Sequence, residues 1–175
     1  KYFFLGALGA AIFLYGFVML YGSTGTTSLT GIQAALGHQL AAEGGLNTLA
    51  TLGLVLSVLG LCFKIAAVPM HFYTADVYQG AAATVSAFLA FVPKTAGFIA
   101  IMLICAAAGW RFGDSGHDLP DSLAATLSVI AVLTMTVGNV LALLQTSIKR
   151  ILAYSSIAHS GYMLVGIVAG PGPSD

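Results

Sequence analysis

Long apolar runs separated by short polar segments make up almost the whole chain. A helix of about 20 apolar residues is long enough to cross the roughly 30 Å hydrocarbon core of a membrane. The pattern therefore predicts an all-α fold, a polytopic transmembrane helix bundle that forms a single transmembrane domain. The predicted spans cover residues 2–21, 46–81, 83–108, 122–144 and 151–169.

The second span is not uniformly apolar. Its hydrophobic run meets Pro69, and the residues that follow it, 70–80, mix aromatic with polar side chains. Proline removes a backbone hydrogen bond and clashes with the preceding turn, so we expect a discontinuous helix that is interrupted near residues 69–73. Irregular backbone at membrane depth needs cover from protein or a water-filled cavity, and broken helices recur in ion-handling proteins.

The composition is typical of a membrane protein and excludes several kinds of binding site. Hydrophobic residues make up 58% and charged residues 7%, against about 25% charged residues in a soluble domain. The net charge is zero, so neither nucleic acid nor an acidic substrate is implied. Cys62 and Cys105 are expected to be reduced core thiols. Because no Walker loop, dinucleotide fingerprint or metal-ligand spacing is found, we expect no metal, no cofactor and no redox chemistry in this chain itself.

Basic residues are distributed unevenly between the predicted loops. Lys1, Lys149 and Arg150 lie on one side, whereas Arg111 lies on the other, together with most of the acidic residues. The positive-inside rule places the first group on the cytoplasmic side or its equivalent.

Two lysines, Lys64 and Lys94, lie within the predicted spans. A lysine at the centre of a membrane helix costs about 2.5–3.5 kcal/mol, and an ionisable residue at that depth suggests a functional site. Small residues share the helix face of each lysine, which indicates packing against other helices. Since desolvation favours a neutral amine, we predict that both lysines exchange protons near neutral pH. The alternative is that the ammonium reaches the interface, which is easier for Lys64, one turn before Pro69.

His159 is the third candidate, because Ser155, Ser156 and Tyr162 share its helix face. An imidazole beside hydroxyl groups can pass protons at physiological pH, but a structural histidine bonded to a helix carbonyl fits the pattern equally well. Other polar residues carry two interpretations as well. Thr136 and Asn139 either line a hydrated path or join helices. Asp76 either caps a helix that begins near Thr74 or pairs with a base. It belongs to a group on the cytoplasmic side of the interrupted crossing: His71, Tyr73, Asp76, Tyr78 and Gln79.

Three long motifs, in this order, resemble those of a known family. They are residues 63–81 (FKIAAVPMHFYTADVYQGA), 91–97 (FVPKTAG) and 139–162 (NVLALLQTSIKRILAYSSIAHSGY). They are similar to the broken-helix segment and the following helices of the antiporter-like membrane subunits of respiratory complex I, an NADH-quinone oxidoreductase. Subunit N is the most similar branch, and the opening residues 1–7 resemble the start of its sixth helix. Small departures, such as Ala75 in place of a frequent proline, leave the lysines untouched.

The resemblance implies that this chain is part of a longer polypeptide of about fourteen helices, of which it matches the sixth to the tenth. It implies a proton relay through Lys64, Lys94 and His159, with quinone reduction elsewhere in the complex as the driving force. A glutamate that pairs with Lys64 would lie outside the chain. Other subunits would hold NAD, FMN, iron–sulfur clusters and quinone, and the expected partners are other complex I membrane subunits, the lipid bilayer, protons and water. The alternative is a cation/proton antiporter without redox coupling.

Overall fold

The structure is a computed structural model, and it describes residues 2–110 and 119–170, apart from the side chain of residue 43. These residues form seven α-helices and one 3₁₀ helix. The α-helices are α1 (Tyr2–Thr24), α2 (Leu29–Glu43), α3 (Thr48–Ile65), α4 (Thr74–Gly80), α5 (Ala83–Ala107), α6 (Asp121–Leu143) and α7 (Ile148–Ala169), and the 3₁₀ helix is Met70–Tyr73.

The predicted fold class, an all-α transmembrane bundle with a discontinuous helix, is confirmed. Five segments are long and apolar enough to cross a membrane, namely α1, the broken segment from α3 to α4, α5, α6 and α7. Their ends lie within three residues of the predicted ones. The assignment to one transmembrane domain stays a prediction. Lys1 and most of the predicted charged loop, including Arg111, lie outside the described residues.

The break in the second span begins earlier than Pro69. Helix α3 ends at Ile65, and Ala66 adopts a left-handed conformation with φ of 56°. This conformation is uncommon for a residue other than glycine. Here the turn is closed by two hydrogen bonds, from the Ala66 N–H to the Phe63 carbonyl and from the Ala67 N–H to the Cys62 carbonyl (3.3 and 2.9 Å). The chain therefore leaves the helix while its last carbonyls are still partly satisfied.

Glycines allow α1 and α3 to pack backbone against backbone. A Cβ added at Gly16 would lie 2.6 Å from the Ser57 nitrogen, and one added at Gly60 would lie 2.6 Å from the Phe13 nitrogen. No side chain fits at such distances, and small residues at helix interfaces are what membrane bundles use to bring backbones together. The two helices are thereby fixed as a close pair.

A second close approach sets the spacing between α3 and α5. A Cβ at Gly97 would lie 2.7 Å from Ile65 Cγ2 and 3.1 Å from Lys64 Cβ. Gly97 follows Lys94 by three residues, so it lies on nearly the same face of α5. The carboxyl end of α3, with Lys64, is therefore held against the part of α5 that carries Lys94.

Candidate functional site

The site forms around the irregular backbone at the break after α3. Two side chains from other helices bind this backbone: the Ser160 hydroxyl of α7 donates to the Ile65 carbonyl (2.7 Å), and the Val68 N–H donates to the Thr134 hydroxyl of α6 (3.0 Å). A third bond is local, from the Tyr73 hydroxyl to the Phe63 carbonyl (2.7 Å). Non-helical backbone at membrane depth requires such partners, and protein groups supply them here.

Lys94 lies near the middle of α5 and is only 5% exposed. Its ammonium donates two hydrogen bonds to one residue of α7, to the Ser156 carbonyl oxygen and to Ser156 Oγ, both at 2.6 Å. The predicted burial of this lysine is correct. The ammonium is held by the neighbouring helix rather than by a carbonyl of its own helix freed by Pro93.

Lys64 has a different environment, and the prediction of burial is wrong for it in this chain. Its side chain is exposed, although its neighbours Phe63 and Ile65 are buried. The physical reason is its position in the last turn of α3, where the chain leaves the helix and the described residues do not cover its side chain. No hydrogen bond or ion pair joins that ammonium to the residues in ranges 2–110 and 119–170.

The two lysines nevertheless line one small cavity, together with aromatic and proline side chains. Its volume is about 10 Å³, close to the least space that one water molecule needs, about 10–15 Å³. Tyr73 and Tyr78 contribute to its wall. Lys64 and Lys94 thus both line a space of about one water molecule.

His159 lies one helical turn after Ser155 on α7 and is exposed. Its Nδ1 is 2.7 Å from the Ser155 carbonyl oxygen. A carbonyl oxygen can only accept, so Nδ1 is the donor of this hydrogen bond, and Nε2 takes no part in it. The structural contact anticipated for this histidine is therefore present, and it leaves one ring nitrogen available for proton transfer.

Lys94 and His159 line the same open groove between α5 and α7, which has a volume of about 490 Å³. The wall between them is formed by Ser155 and Ser156, and the remainder is mostly apolar. The sequence-predicted residues are thus brought together in pairs: Lys64 with Lys94 at the small cavity, and Lys94 with His159 in the groove.

Sequence analysis missed Ser160 and Thr134, which bind the broken backbone, and the role of Ser156 as the partner of Lys94. Ser160 and Thr134 are fully buried. One signal was present in the sequence, because Ser156 and Ser160 are four residues apart and share a helix face. Of the residues with two interpretations, Asn139 joins helices, since its amide donates to the Tyr162 hydroxyl (3.0 Å), whereas Thr136 bonds within its own helix.

A polar cluster lies at the end of the bundle that carries the basic turn before α7. The Arg150 guanidinium contacts Asp76 Oδ1 at 3.1 Å, Gln79 Oε1 at 3.0 Å and Gln145 Oε1 at 2.8 Å. Asp76 therefore pairs with a base, one of its two predicted roles. Helix α4 does begin at Thr74. The cluster fastens α4 to the start of α7.

Comparison with known proteins agrees with this architecture. The family model described as "NADH:quinone oxidoreductase/Mrp antiporter, TM" matches residues 1–172. A Myxococcus xanthus protein named NADH-quinone oxidoreductase subunit N is 45% identical to this chain. The aligned region covers 98% of this chain and 32% of that protein. The chain spans about a third of the length of the curated relatives it matches.

Two solved structures are similar in fold. A chain of respiratory complex I from Thermus thermophilus with bound aureothin gives a TM-score of 0.74 at 40% identity, over 94% of this chain and 32% of the other. A chain of the membrane-bound sulfane sulfur reductase, an archaeal respiratory membrane complex, gives 0.77 at 29% identity, over 96% and 32%. With a family model that matches nearly its whole length, this multi-pass membrane chain belongs to the NADH:quinone oxidoreductase/Mrp antiporter transmembrane family.

Proposed function

We propose that this chain is part of a proton-translocating membrane-arm subunit of an NADH-quinone oxidoreductase, respiratory complex I. The observation that carries the proposal is the environment of Lys94. Lys94 is a cation in the middle of an apolar helix, 5% exposed and held by two oxygens of Ser156. Burying such a charge costs free energy, which points to a functional role. Its burial beside a groove with His159 favours a proton carrier over a residue that merely joins two helices.

The proposed route runs between Lys64, Lys94 and His159, with water molecules in the spaces that these residues line. The small cavity connects the two lysines, and the groove connects Lys94 with the free Nε2 of His159. Moving one charge against 100 mV costs about 2.3 kcal/mol. A change in the charge of one buried lysine involves a free energy of similar magnitude. Quinone reduction elsewhere in the complex would supply the energy.

The rest of the machinery is proposed from the relatives. The subunit would act in a translocating oxidoreductase without redox chemistry of its own, beside other complex I membrane subunits in a lipid bilayer. NAD, FMN, iron–sulfur clusters and quinone would be bound by other subunits. The bacterial relatives favour the bacterial inner membrane as its location, with an organelle inner membrane or a thylakoid membrane as the alternatives.

The alternative function is a subunit of a cation/proton antiporter that is not coupled to redox chemistry. The description of the matching family includes antiporters, but the name of the Myxococcus xanthus relative favours the oxidoreductase. Purification of the native assembly separates the two, because only an oxidoreductase subunit would be recovered together with an electron-transfer arm.

The proposed function is tested with the full-length subunit in its complex, in sealed membrane vesicles. Lys94→Ala and Lys64→Ala are each introduced, and proton uptake is measured per electron transferred, with the amount of assembled complex as a control. We expect normal assembly and a loss of pumping in both variants. A wild-type ratio of protons to electrons in both variants would leave only a structural role for the lysines.

A further inference from the structure

We propose that Ser156 and Ser160 are positioning residues that link the ammonium of Lys94 to the end of α3 beside Lys64. The inference rests on the proposed function and adds a connection between the two lysines through protein groups. Ser156 contacts Lys94 directly, and Ser160 contacts Ile65, the residue after Lys64. Both serines lie on one face of α7, four residues apart.

The link is a set of close donor–acceptor contacts. The Ser156 carbonyl oxygen accepts from Lys94 Nζ at 2.6 Å and lies 3.2 Å from Ser160 Oγ. Ser160 Oγ also lies 2.7 Å from the Ile65 carbonyl oxygen. Three helices, α5, α7 and α3, therefore meet in one network, and Ser160 is fully buried within it.

The Ser160 hydroxyl has a single proton and two acceptors within reach. With Lys94 bound at the Ser156 carbonyl, the shorter distance and the competing ammonium direct that proton to the Ile65 carbonyl. When the Lys94 amine moves away from Ser156, the competition at the Ser156 carbonyl ends, and this carbonyl can accept from Ser160 instead. The Ile65 carbonyl then loses its partner at membrane depth, where an unsatisfied carbonyl is unfavourable.

The consequence is a two-position element that both lysines influence. Ile65 closes α3 and the left-handed Ala66 follows it, so the Ile65 carbonyl lies at the irregular end of the helix, where Ser160 binds it. A change at Lys94 therefore alters the backbone that carries Lys64. Coupling through an element with two discrete arrangements is the physical requirement for communication between two sites.

The test uses the complete complex with the full-length subunit in sealed vesicles, and it compares protons pumped per electron at equal amounts of assembled complex. Ser160→Ala removes the hydroxyl that lies between the Ser156 carbonyl and the Ile65 carbonyl, and Ser156→Ala removes the hydroxyl that holds the Lys94 ammonium beside that Ser156 carbonyl. We expect each to lower pumping about two- to tenfold, the change that one hydrogen bond corresponds to, with quinone reduction retained. Ser156→Thr should restore pumping, because it keeps the hydroxyl and Ser156 borders an open groove with room for a methyl group.

Ser57→Ala is the matched control. Ser57 is also fully buried, and its hydroxyl bonds the carbonyl four residues earlier, that of Gly53 (2.7 Å), within one helix. It joins neither lysine to another helix, so pumping should stay at the wild-type level. A general effect of lost buried hydroxyls would lower pumping in this variant as well and would contradict the proposal.

The double variant Ser156→Ala/Ser160→Ala separates a link from two independent contacts. Residues that act as one unit have non-additive effects. The double variant should therefore pump as many protons per electron as the single variant with the lower pumping. An effect equal to the product of the two single effects would overturn the proposal, as would wild-type pumping in Ser160→Ala. If Ser160→Ala does not assemble, Ser160→Cys decides, because it keeps the size of the side chain and a thiol donates only weakly; wild-type pumping in Ser160→Cys would overturn the proposal.

Lys94→Ala in the same vesicles distinguishes this inference from the proposed function. Loss of pumping in Lys94→Ala with wild-type pumping in both serine variants would overturn the link and leave the function standing. Wild-type pumping in Lys94→Ala as well as in Lys64→Ala would overturn the function itself.

Discussion

Lys64 and Lys94 are the same residue type at similar depth in adjacent apolar helices, yet their environments differ. Lys94 is in the middle of α5, 5% exposed, with two oxygens of Ser156 at 2.6 Å. Lys64 is in the last turn of α3 and is exposed, without a hydrogen bond to the residues that the structure describes. One lysine is hydrogen-bonded to another described residue, and the other is not.

The difference indicates that position along a helix affects how a lysine in an apolar helix is accommodated. A lysine in mid-helix cannot reach solvent along the helix, so a neighbouring helix must supply acceptors, and α7 supplies Ser156. A lysine at a helix end lies beside irregular backbone, and there the serine and threonine from α7 and α6 bind the backbone rather than the ammonium. The chain stabilises the break and leaves the charge of Lys64 accessible.

The largest expected effect comes from replacing each lysine by arginine, which retains its proton at any physiological pH. Pumping per electron should fall below about a tenth in both Lys64→Arg and Lys94→Arg, since a positioned proton-transfer group contributes about 100-fold or more. The two should differ in assembly. The exposed site of Lys64 accepts the larger group, whereas the enclosed site of Lys94 does not. Equal assembly of the two variants, measured by subunit content, would contradict the difference in burial.

Gly97→Ala tests the spacing between the two lysines. The added methyl would lie 2.7 Å from Ile65 Cγ2 and 3.1 Å from Lys64 Cβ, so α3 and α5 must move apart. We expect a loss of about 1–3 kcal/mol of stability, typical of overpacking, seen as a lower midpoint of thermal unfolding in detergent, together with reduced pumping. Gly166→Ala is the control, because no atom lies within 4 Å of a Cβ at that position of α7. An equal effect in both variants would show that the loss does not come from the contact between α3 and α5.

Tyr73→Phe tests the backbone on the Lys64 side alone. It removes the hydroxyl that donates to the Phe63 carbonyl at 2.7 Å in a buried position. We expect a loss of about 1–1.5 kcal/mol, the usual contribution of such a bond, measured as the unfolding midpoint. Pumping should fall less than in the lysine variants, because only one bond to the last turn of α3 is lost. An unchanged midpoint would show that the Phe63 carbonyl is satisfied without Tyr73.

The smallest effect is expected for Asp76→Asn, which removes the ion pair with Arg150 but keeps its oxygen acceptor. The two side chains are 37% and 28% exposed, and pairs of this exposure contribute about 0.2–1 kcal/mol. The midpoint of unfolding should shift slightly at low salt and not at high salt. A large loss of pumping would instead assign Asp76 to the proton route.

The apolar pattern was sufficient to predict the helices, because crossing a hydrocarbon core fixes both their length and their composition. It also indicated the discontinuous helix, since proline cannot continue a hydrogen-bonded turn. The earlier start of the break at Ala66 was not predictable. A left-handed alanine has no sequence signature, and it persists because surrounding helices bind the turn.

Some of the candidate residues could be predicted from the sequence as well. Lys94 stood out because a cation within an apolar run is unfavourable, whatever its partner. Ser156 and Ser160 did not stand out, because a serine in a membrane helix usually bonds its own helix, as Ser57 does. Only the packing of α7 against α3 and α5 turns those two hydroxyls toward other helices.

The amino-acid sequence by itself determined that this chain forms apolar helices and carries amines at membrane depth, since both follow from local composition and from the free energy of transfer into lipid. The tertiary structure alone decided which amine is enclosed, which oxygens hold it and how the broken backbone is satisfied. Those outcomes depend on contacts between residues 62 to 95 positions apart in the chain, and no local pattern encodes such pairings.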